Sequence, residues 1–246
     1  MKRIFDVVMS LIGLVISAPV LVIFMALLWL QDRHSPLYIA DRTGRNGQPF
    51  RMVKLRSMIK DAHKSGVDST SADDKRITKI GLLIRRYKLD ELTQLWNVLL
   101  GDMSLVGPRP NVKRETDLYT AEEKLLLSVR PGITDFASIV FSDEGEILEG
   151  SSEPDIAYNQ LIRPGKSALG IFYVKNRNLI IDIYLIIATI LAILSRSIAL
   201  SFVSSILRRC QAKEDLISLA LRRDPLTPMP PPGAKSIVTN REGRVE

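Results

Sequence analysis

The chain has 246 residues, enough for one ordinary domain and too few for two large ones. Lysine plus arginine exceed aspartate plus glutamate by 34 to 27, and the net charge of +7 favours an anionic partner: nucleic acid, a phosphorylated substrate or a lipid surface. Residues 7–30 contain no formal charge, which excludes a plain soluble enzyme. Cys210 is the single cysteine, so an internal disulfide is excluded, and with only His34 and His63 no His/Cys zinc site can form.

The apolar segment is long enough for a membrane helix, which needs roughly 20 apolar residues. It lacks the short apolar core and small-residue cleavage site of a signal peptide, so we expect it to be retained. Pro19 removes a backbone donor near its middle, which predicts a bend with the Ser17 hydroxyl as partner of the freed carbonyl. Lys2 and Arg3 precede the segment and Arg33 follows it, so both flanks are basic. Two interpretations stay open: a kinked single span, or a re-entrant helix broken at Ser17 and Pro19.

A β-hairpin is predicted next. Residues 37–40 and 50–55 are short apolar and aromatic runs, and Asn46-Gly47 between them supplies the positive φ of a tight turn. The second arm and its exit carry basic residues without an acid among them, and these indicate either a solvated face near an anionic bilayer or a phosphate contact. They are Arg42, Arg45, Arg51, Lys54, Arg56 and Lys60.

Two helices follow in the predicted order. Residues 77–87 place apolar side chains at helical spacing with basic residues on another face, a pattern suited to lipid headgroups. Residues 89–100 form the second helix, and Gly101 suits its end. Asp90 and Glu91 stand at its start, where they either cap backbone amides or share an anion site with Arg85 and neighbouring basic residues.

Arg109 stands between two prolines that fix the backbone around one guanidinium, which indicates a positioned anion contact or simply a rigid turn. Residues 130–134 give another turn signal. Residues 143–155 carry six acids and no base, and a solvated loop is predicted there in preference to a metal site.

The C-terminal quarter begins with apolar residues 179–207, which Asp182 and Arg196 interrupt. The uninterrupted part is too short to span a membrane, so a helix buried in the domain or lying at the interface is predicted. A proline-rich stretch at 224–233 predicts a disordered tail. The predicted division is therefore a membrane helix over 1–36, a main domain over 37–208, and a C-terminal helix with a disordered tail over 209–246.

Six motifs in one order resemble those of a known family. They are Arg-Thr-Gly-Arg-Asn-Gly at 42–47, Lys-Leu-Arg-Ser-Met at 54–58, Arg85 five residues before Asp-Glu-Leu at 90–92, Asn97 with Gly-Asp-Met-Ser at 101–104, Gly-Pro-Arg-Pro at 107–110 and Arg-Pro-Gly-Ile-Thr at 130–134. Behind an apolar segment with a central serine and proline, this order closely resembles the bacterial sugar transferases, which are monotopic phosphoglycosyl transferases. The resemblance covers about residues 2–190.

The resemblance implies transfer of a sugar 1-phosphate from a UDP-sugar to polyprenyl phosphate, such as undecaprenyl phosphate, with release of UMP. This reaction would begin a lipid-linked glycan for exopolysaccharide or lipopolysaccharide at the bacterial inner membrane. The implied fold is a mostly helical α/β domain on the cytoplasmic face, with a β-hairpin and a re-entrant N-terminal membrane helix. A homo-oligomer is left open, and the sequence does not identify the sugar.

The resemblance also implies residue roles. Asp90 matches the nucleophile that forms a phosphosugar intermediate, and Glu91 with Asp90 would hold Mg2+. Arg85 and Arg109 match residues that would grip the phosphates and the nucleotide. Lys54, together with Arg56 at the hairpin exit, is added as a substrate-binding candidate.

Two positions depart from the usual family pattern: Thr93 replaces a proline and Asp135 replaces a glycine. We expect neither to touch the acidic pair. A non-catalytic membrane scaffold that recruits glycosyltransferases is the rival function, and the intact Asp90-Glu91 pair argues against it. A nucleic-acid-binding module is disfavoured because aromatic residues make up 6% and no binding motif is recognisable.

Overall fold

A computed structural model describes residues 1–62 and 74–240, so His63 lies outside the described residues. The helices are α1 (Lys2–Asp32), α2 (Lys79–Arg86), α3 (Leu89–Leu92), α4 (Gln94–Leu100), α5 (Lys113–Thr116), α6 (Phe136–Val140), α7 (Glu144–Ile147), α8 (Pro154–Ala157), α9 (Arg163–Asn176), α10 (Leu179–Leu194), α11 (Arg196–Arg209) and α12 (Glu214–Leu221). The strands are β1 (Leu37–Thr43), β2 (Pro49–Leu55), β3 (Ser104–Val106) and β4 (Gly132–Thr134). Short 3-10 turns occur at Arg45–Gly47 and Glu123–Ser128, and a π-helical turn at Tyr158–Ile162. The predicted class, a mostly helical α/β protein with a β-hairpin and a long apolar N-terminal helix, is confirmed.

Helix α1 continues without interruption through Pro19. At about 1.5 Å per residue, its 31 residues extend about 46 Å. The predicted break at Ser17 and Pro19 is therefore not an end of the secondary structure. The Ser17 hydroxyl donates to the Gly13 carbonyl at 2.7 Å, and not to the Val15 carbonyl that Pro19 leaves without its usual donor, so the expected partner was wrong. Such back-bonding to the preceding turn bends helices without ending them.

One side of α1 packs on the rest of the protein. Leu21 and Leu28 are buried in an apolar cluster with Leu55 of β2 and Ile84 of α2. The opposite side exposes a row of large apolar residues: Ile4, Val8, Leu11, Ile12, Val15, Ile16, Val20, Ile23, Leu27 and Leu30. Among the described residues, α1 is the one helix long and apolar enough to cross a membrane.

The β-hairpin is confirmed. Strands β1 and β2 pair antiparallel, with Thr43 opposite Pro49 and Leu37 opposite Leu55. Asn46 and Gly47 both have positive φ, 57° and 77°, as the Asn-Gly signal predicts.

A second sheet was not predicted from the sequence. Strands β3 and β4 pair in parallel, and they include or adjoin the residues interpreted as turns at 107–110 and 130–134. Gly107 and Gly132 let the two backbones touch, because a Cβ on Gly132 would lie 2.0 Å from the Gly107 nitrogen. Three-residue strands are too short to show an alternating pattern, and the glycine and proline residues beside them predicted turns instead.

The acidic segment is not the predicted solvated loop, because α7 and α8 lie within it. Its first acid, Asp143, forms ion pairs with Arg196 of α11 and with Arg222, so distant basic residues neutralise part of this charge.

Helix α10 has one buried face and one exposed face. Its inner face, with Ile181, Leu185 and Ala188, is buried in the main core. Its outer face is exposed and apolar, with Ile180, Ile183, Ile187, Ile190, Ile193 and Leu194.

The proline-rich tail has no helix or strand between residues 223 and 240. It nevertheless packs on the body, whereas the sequence predicted disorder. The Met229 amide donates to the Gln160 carbonyl at 3.0 Å, the Gln160 side chain donates to the Val238 carbonyl at 2.6 Å, and Val238 is buried. Residues 241–246 lie outside the described residues.

Candidate active site

The acidic pair follows a sharp turn between two helices. Lys88 has a left-handed backbone with φ of 52°, a conformation that residues other than glycine seldom adopt. Lys88 lies between α2 and α3 and is the residue immediately before α3, so that Asp90 and Glu91 fall in the first turn of α3. The turn therefore brings the end of α2, with Arg85, beside the two carboxylates.

Arg85 is held by the segment that follows β2. Helix α2 lies so close to this segment that a Cβ on Gly81 would be 1.8 Å from the Ser57 carbonyl oxygen, so only glycine fits. The Ser57 hydroxyl accepts a hydrogen bond from Arg85 Nε at 3.0 Å. Burial lowers the pKa of Arg85, while the charge of Asp90 acts in the opposite direction.

Asp90 has a weakly bound carboxylate. Its one ion-pair contact within the described ranges is with Lys54 of β2, whose Nζ lies 3.8 Å from Asp90 Oδ2. Burial raises the pKa of Asp90, and the positive charge of Lys54 partly opposes this shift. Burial also lowers the pKa of Lys54 to about 8. No hydrogen bond from a described residue reaches the Asp90 carboxylate, so its oxygens are available to a ligand.

Glu91 is bound tightly instead. Arg109 Nη1 donates to Glu91 Oε1 at 2.7 Å. Burial alone would raise the pKa of Glu91, but the charge of Arg109, aided by Lys88 and Lys54, lowers it to about 2. Glu91 in turn raises the pKa of Arg109, so this pair is fully ionised at neutral pH. The Arg109 side chain is still 37% exposed, which leaves part of the guanidinium accessible to a second anion.

The carboxylates of Asp90 and Glu91 fit the requirements of Mg2+. This ion commonly takes one or two protein carboxylates and completes its shell with water and substrate phosphates. In residues 1–62 and 74–240, no group of three or more histidine, cysteine or acidic side chains could hold a metal, so an all-protein cage is absent there. A metal at this site would need ligands from a substrate.

Arg56 is not part of this cluster. Its guanidinium donates two hydrogen bonds to the Asp32 carboxylate, at 2.5 and 2.6 Å, and a third to the Ser35 carbonyl. The structure thus brings together Asp90, Glu91, Lys54, Arg85 and Arg109, and assigns Arg56 to the C-terminal end of α1.

Thr93 was expected not to touch the acidic pair, and this was wrong. Its hydroxyl lies 3.1 Å from the Asp90 carbonyl oxygen and 3.0 Å from the Val53 carbonyl oxygen. The signal available in the sequence was a hydroxyl residue one helical turn after Asp90. Asp135, the other departure, caps α6 through a reciprocal hydrogen-bond pair with Ser138.

Comparison with known proteins agrees with this site. The family model described as bacterial sugar transferase matches residues 1–196. The chain belongs to the bacterial sugar transferase family. This confirms the resemblance and the prediction that the protein is an enzyme of the phosphoglycosyl transferase type. It also agrees with a membrane-associated protein that has an N-terminal apolar helix.

Three relatives illustrate the range of names in this family. A Bacillus subtilis (strain 168) protein, provisionally named an undecaprenyl-phosphate N-acetylgalactosaminyl 1-phosphate transferase, is 47% identical over 49% of this chain and 68% of its own length. The exopolysaccharide production protein ExoY of Sinorhizobium fredii is 33% identical over 78% of this chain and 84% of its own. The UDP-galactose-lipid carrier transferase of Erwinia amylovora is 33% identical over 80% of this chain, which spans 41% of that longer relative.

Proposed function

We propose that this protein transfers a sugar 1-phosphate from a UDP-sugar to undecaprenyl phosphate, releases UMP, and so starts a lipid-linked exopolysaccharide precursor. The names of the relatives support the two substrates. The observation that carries the proposal is the contrast within the acidic pair: Glu91 is locked by Arg109, while the Asp90 carboxylate lies unbonded beside Lys54.

The proposed reaction has two displacements at one phosphorus. In the first, an Asp90 carboxylate oxygen bonds to the phosphorus that carries the sugar, and the bond from this phosphorus to UMP breaks. UMP leaves with the bonding electron pair, and the phosphosugar is esterified to Asp90. In the second, a phosphate oxygen of undecaprenyl phosphate attacks the same phosphorus. The Asp90–phosphorus bond breaks, which restores the carboxylate and yields an undecaprenyl diphosphate sugar.

The other site residues reduce the electrostatic cost of these steps. Attack by a carboxylate on a phosphate brings negative charges together, and cations must offset this repulsion. Lys54 lies beside the attacking carboxylate, and Arg109 and Arg85 supply guanidinium groups for the phosphates. Mg2+, held by Glu91 with Asp90, would neutralise phosphate charge when bound. Because Arg109 fixes the Glu91 carboxylate, Glu91 would present an oxygen to the metal in one orientation.

Both ends of α1 are tied to the same body, which supports a re-entrant position in the membrane. At its start, Lys2 Nζ lies 2.6 Å from Asp182 of α10. At its end, Asp32 binds Arg56. A helix that crosses the bilayer would carry one of these ends to the far side, away from its partner. We therefore assign both ends to the cytoplasmic face of the inner membrane, with the exposed apolar row of α1 in the lipid.

The function is tested by a UMP-release assay with a panel of UDP-sugars, undecaprenyl phosphate and Mg2+. We expect release with at least one UDP-sugar, loss of release in EDTA, and recovery on adding Mg2+. Without undecaprenyl phosphate, mass spectrometry should find one sugar-phosphate adduct, of the mass set by the UDP-sugar used, on the peptide that contains Asp90. Absence of UMP release across the panel, with correctly inserted protein, would favour the scaffold function instead.

The topology is tested by cysteine labelling in a Cys210→Ser background. One variant carries an added cysteine ahead of Met1 and the other is Arg33→Cys, so that the Lys2–Asp182 and Arg56–Asp32 ion pairs are both kept. Both cysteines should react with an impermeant maleimide only when the cytoplasmic face is open. Labelling of the N-terminal cysteine in intact cells would establish a spanning helix and contradict the re-entrant assignment.

A further inference from the structure

A buried amide holds helix α4 against the free edge of β2. Asn97 Oδ1 accepts a hydrogen bond from the Val53 amide at 2.9 Å, and Asn97 Nδ2 donates to the Arg51 carbonyl at 2.7 Å. Asn97 is 1% exposed. These contacts lie where a third strand would pair, because within the part of the chain that the structure describes β2 pairs with β1 alone, along its other edge. The amide thus fixes the position of α4 along the strand.

A buried hydroxyl adds a second contact one helical turn earlier. Thr93 Oγ lies 3.0 Å from the Val53 carbonyl oxygen and 3.1 Å from the Asp90 carbonyl oxygen, and Thr93 is 8% exposed. A hydroxyl has one proton, so it donates to one of these oxygens at a time. The two acceptors belong to the strand that carries Lys54 and to the helix that carries the acidic pair.

We propose that Thr93 and Asn97 form a clamp that sets the distance between the Asp90 carboxylate and the Lys54 ammonium group, and that both are positioning residues for the transfer reaction. The inference rests on the proposed function. Val53 is bonded directly to Lys54, and Thr93 contacts Asp90 through its backbone oxygen. A small slip of α3 and α4 along β2 therefore changes the 3.8 Å gap between Lys54 and Asp90 directly.

The decisive variants are Thr93→Val and Thr93→Ser. Valine keeps the shape of threonine and removes the donor, whereas serine keeps the donor. Thr189→Val is the matched control, because it removes a hydroxyl that contacts the Leu185 carbonyl within α10 and the Thr134 hydroxyl of β4, and that touches neither strand β2 nor the acidic pair. All three are assayed for UMP release at saturating undecaprenyl phosphate over a range of UDP-sugar concentrations.

We expect kcat of Thr93→Val to fall about tenfold while KM for the UDP-sugar changes less than about twofold, since a misplaced nucleophile slows chemistry without removing ground-state contacts. Thr93→Ser should recover to within about threefold of the wild type, and Thr189→Val should stay within about twofold. A wild-type kcat in Thr93→Val would overturn the clamp, as would a loss that serine does not restore.

A second measurement does not depend on turnover. The rate of reductive methylation of Lys54, followed by mass spectrometry, should change at least about twofold in Thr93→Val and return in Thr93→Ser. If the wild type releases no UMP but the methylation rate follows this pattern, the proposed function fails and the clamp stands. If UMP is released normally and the methylation rate is identical in all variants, the clamp fails and the function stands.

Discussion

Two carboxylates in this protein have opposite surroundings. Asp182, near the start of α10, receives Lys2 Nζ at 2.6 Å and the Tyr173 hydroxyl at 2.6 Å, so both of its oxygens are bound. Among residues 1–62 and 74–240, Asp90 has one ion-pair partner, Lys54 at 3.8 Å. A fully satisfied carboxylate holds distant parts of the chain together, whereas an unsatisfied one keeps its oxygens for a reaction. Asp182 therefore serves to anchor the start of α1, whereas Asp90 belongs to the candidate active site.

The matched substitutions Asp90→Asn and Asp182→Asn should separate the two roles most strongly. Asp90→Asn should lower UMP release at least about a thousandfold, because an amide cannot act as the nucleophile, while thermal stability changes little. Asp182→Asn should instead lower stability, because the Lys2 charge loses its partner, by about 2 kcal/mol. Turnover and thermal unfolding are measured on both variants in the same detergent. An Asp182→Asn variant as stable as the wild type would contradict the anchoring role of Asp182, and an active Asp90→Asn variant would contradict the nucleophilic role of Asp90.

A smaller effect is expected from exchanging arginine for lysine at the anchor and at the site. Arg109→Lys should reduce kcat/KM about a hundredfold, since lysine keeps the charge but cannot bind Glu91 and a phosphate with one planar group. Arg56→Lys should cost about 2 kcal/mol of unfolding free energy through loss of its paired hydrogen bonds to Asp32. The folded Arg56→Lys enzyme should keep activity within about threefold. A hundredfold loss of activity in Arg56→Lys would indicate that Arg56 binds substrate after all.

The smallest effect concerns the pH dependence of the ion pair between Asp32, at the C-terminal end of α1, and Arg56. The hydrogen bond from Arg56 lowers the pKa of Asp32 from 3.8 to about 2. Because the folded pKa is the lower one, the bridge contributes its full stability above pH 3.8 and loses it as the pH falls through about 2. The stability difference between the wild type and Asp32→Asn should therefore shrink between pH 4 and 2. Tryptophan fluorescence during unfolding measures it, and a constant difference over this range would contradict the bridge.

Much of the local structure could be predicted from the sequence. The apolar length of α1, the Asn46-Gly47 turn and the end of α4 at Gly101, with its φ of 99°, each depend on a few neighbouring residues. Four of the five residues that lie together at the site, Asp90, Glu91, Arg85 and Arg109, were predicted from their match to the family motifs, and Lys54 was predicted from its place at the hairpin exit. The parallel pair β3 and β4 could not be, since each strand has three residues and is defined by its partner.

By itself the sequence determined the long apolar α1, the hairpin and the helical region that carries the acidic pair, and which charged residues were available, because propensity, turn chemistry and apolar length act over a few positions. Only the tertiary structure decided which cation faces which acid: Arg56 binds Asp32, Arg109 binds Glu91, and Lys2 reaches across 180 positions to Asp182. The physical reason is that an ion pair depends on distance in space. Residues that look equivalent in a basic stretch become anchors or site residues only when the chain has folded.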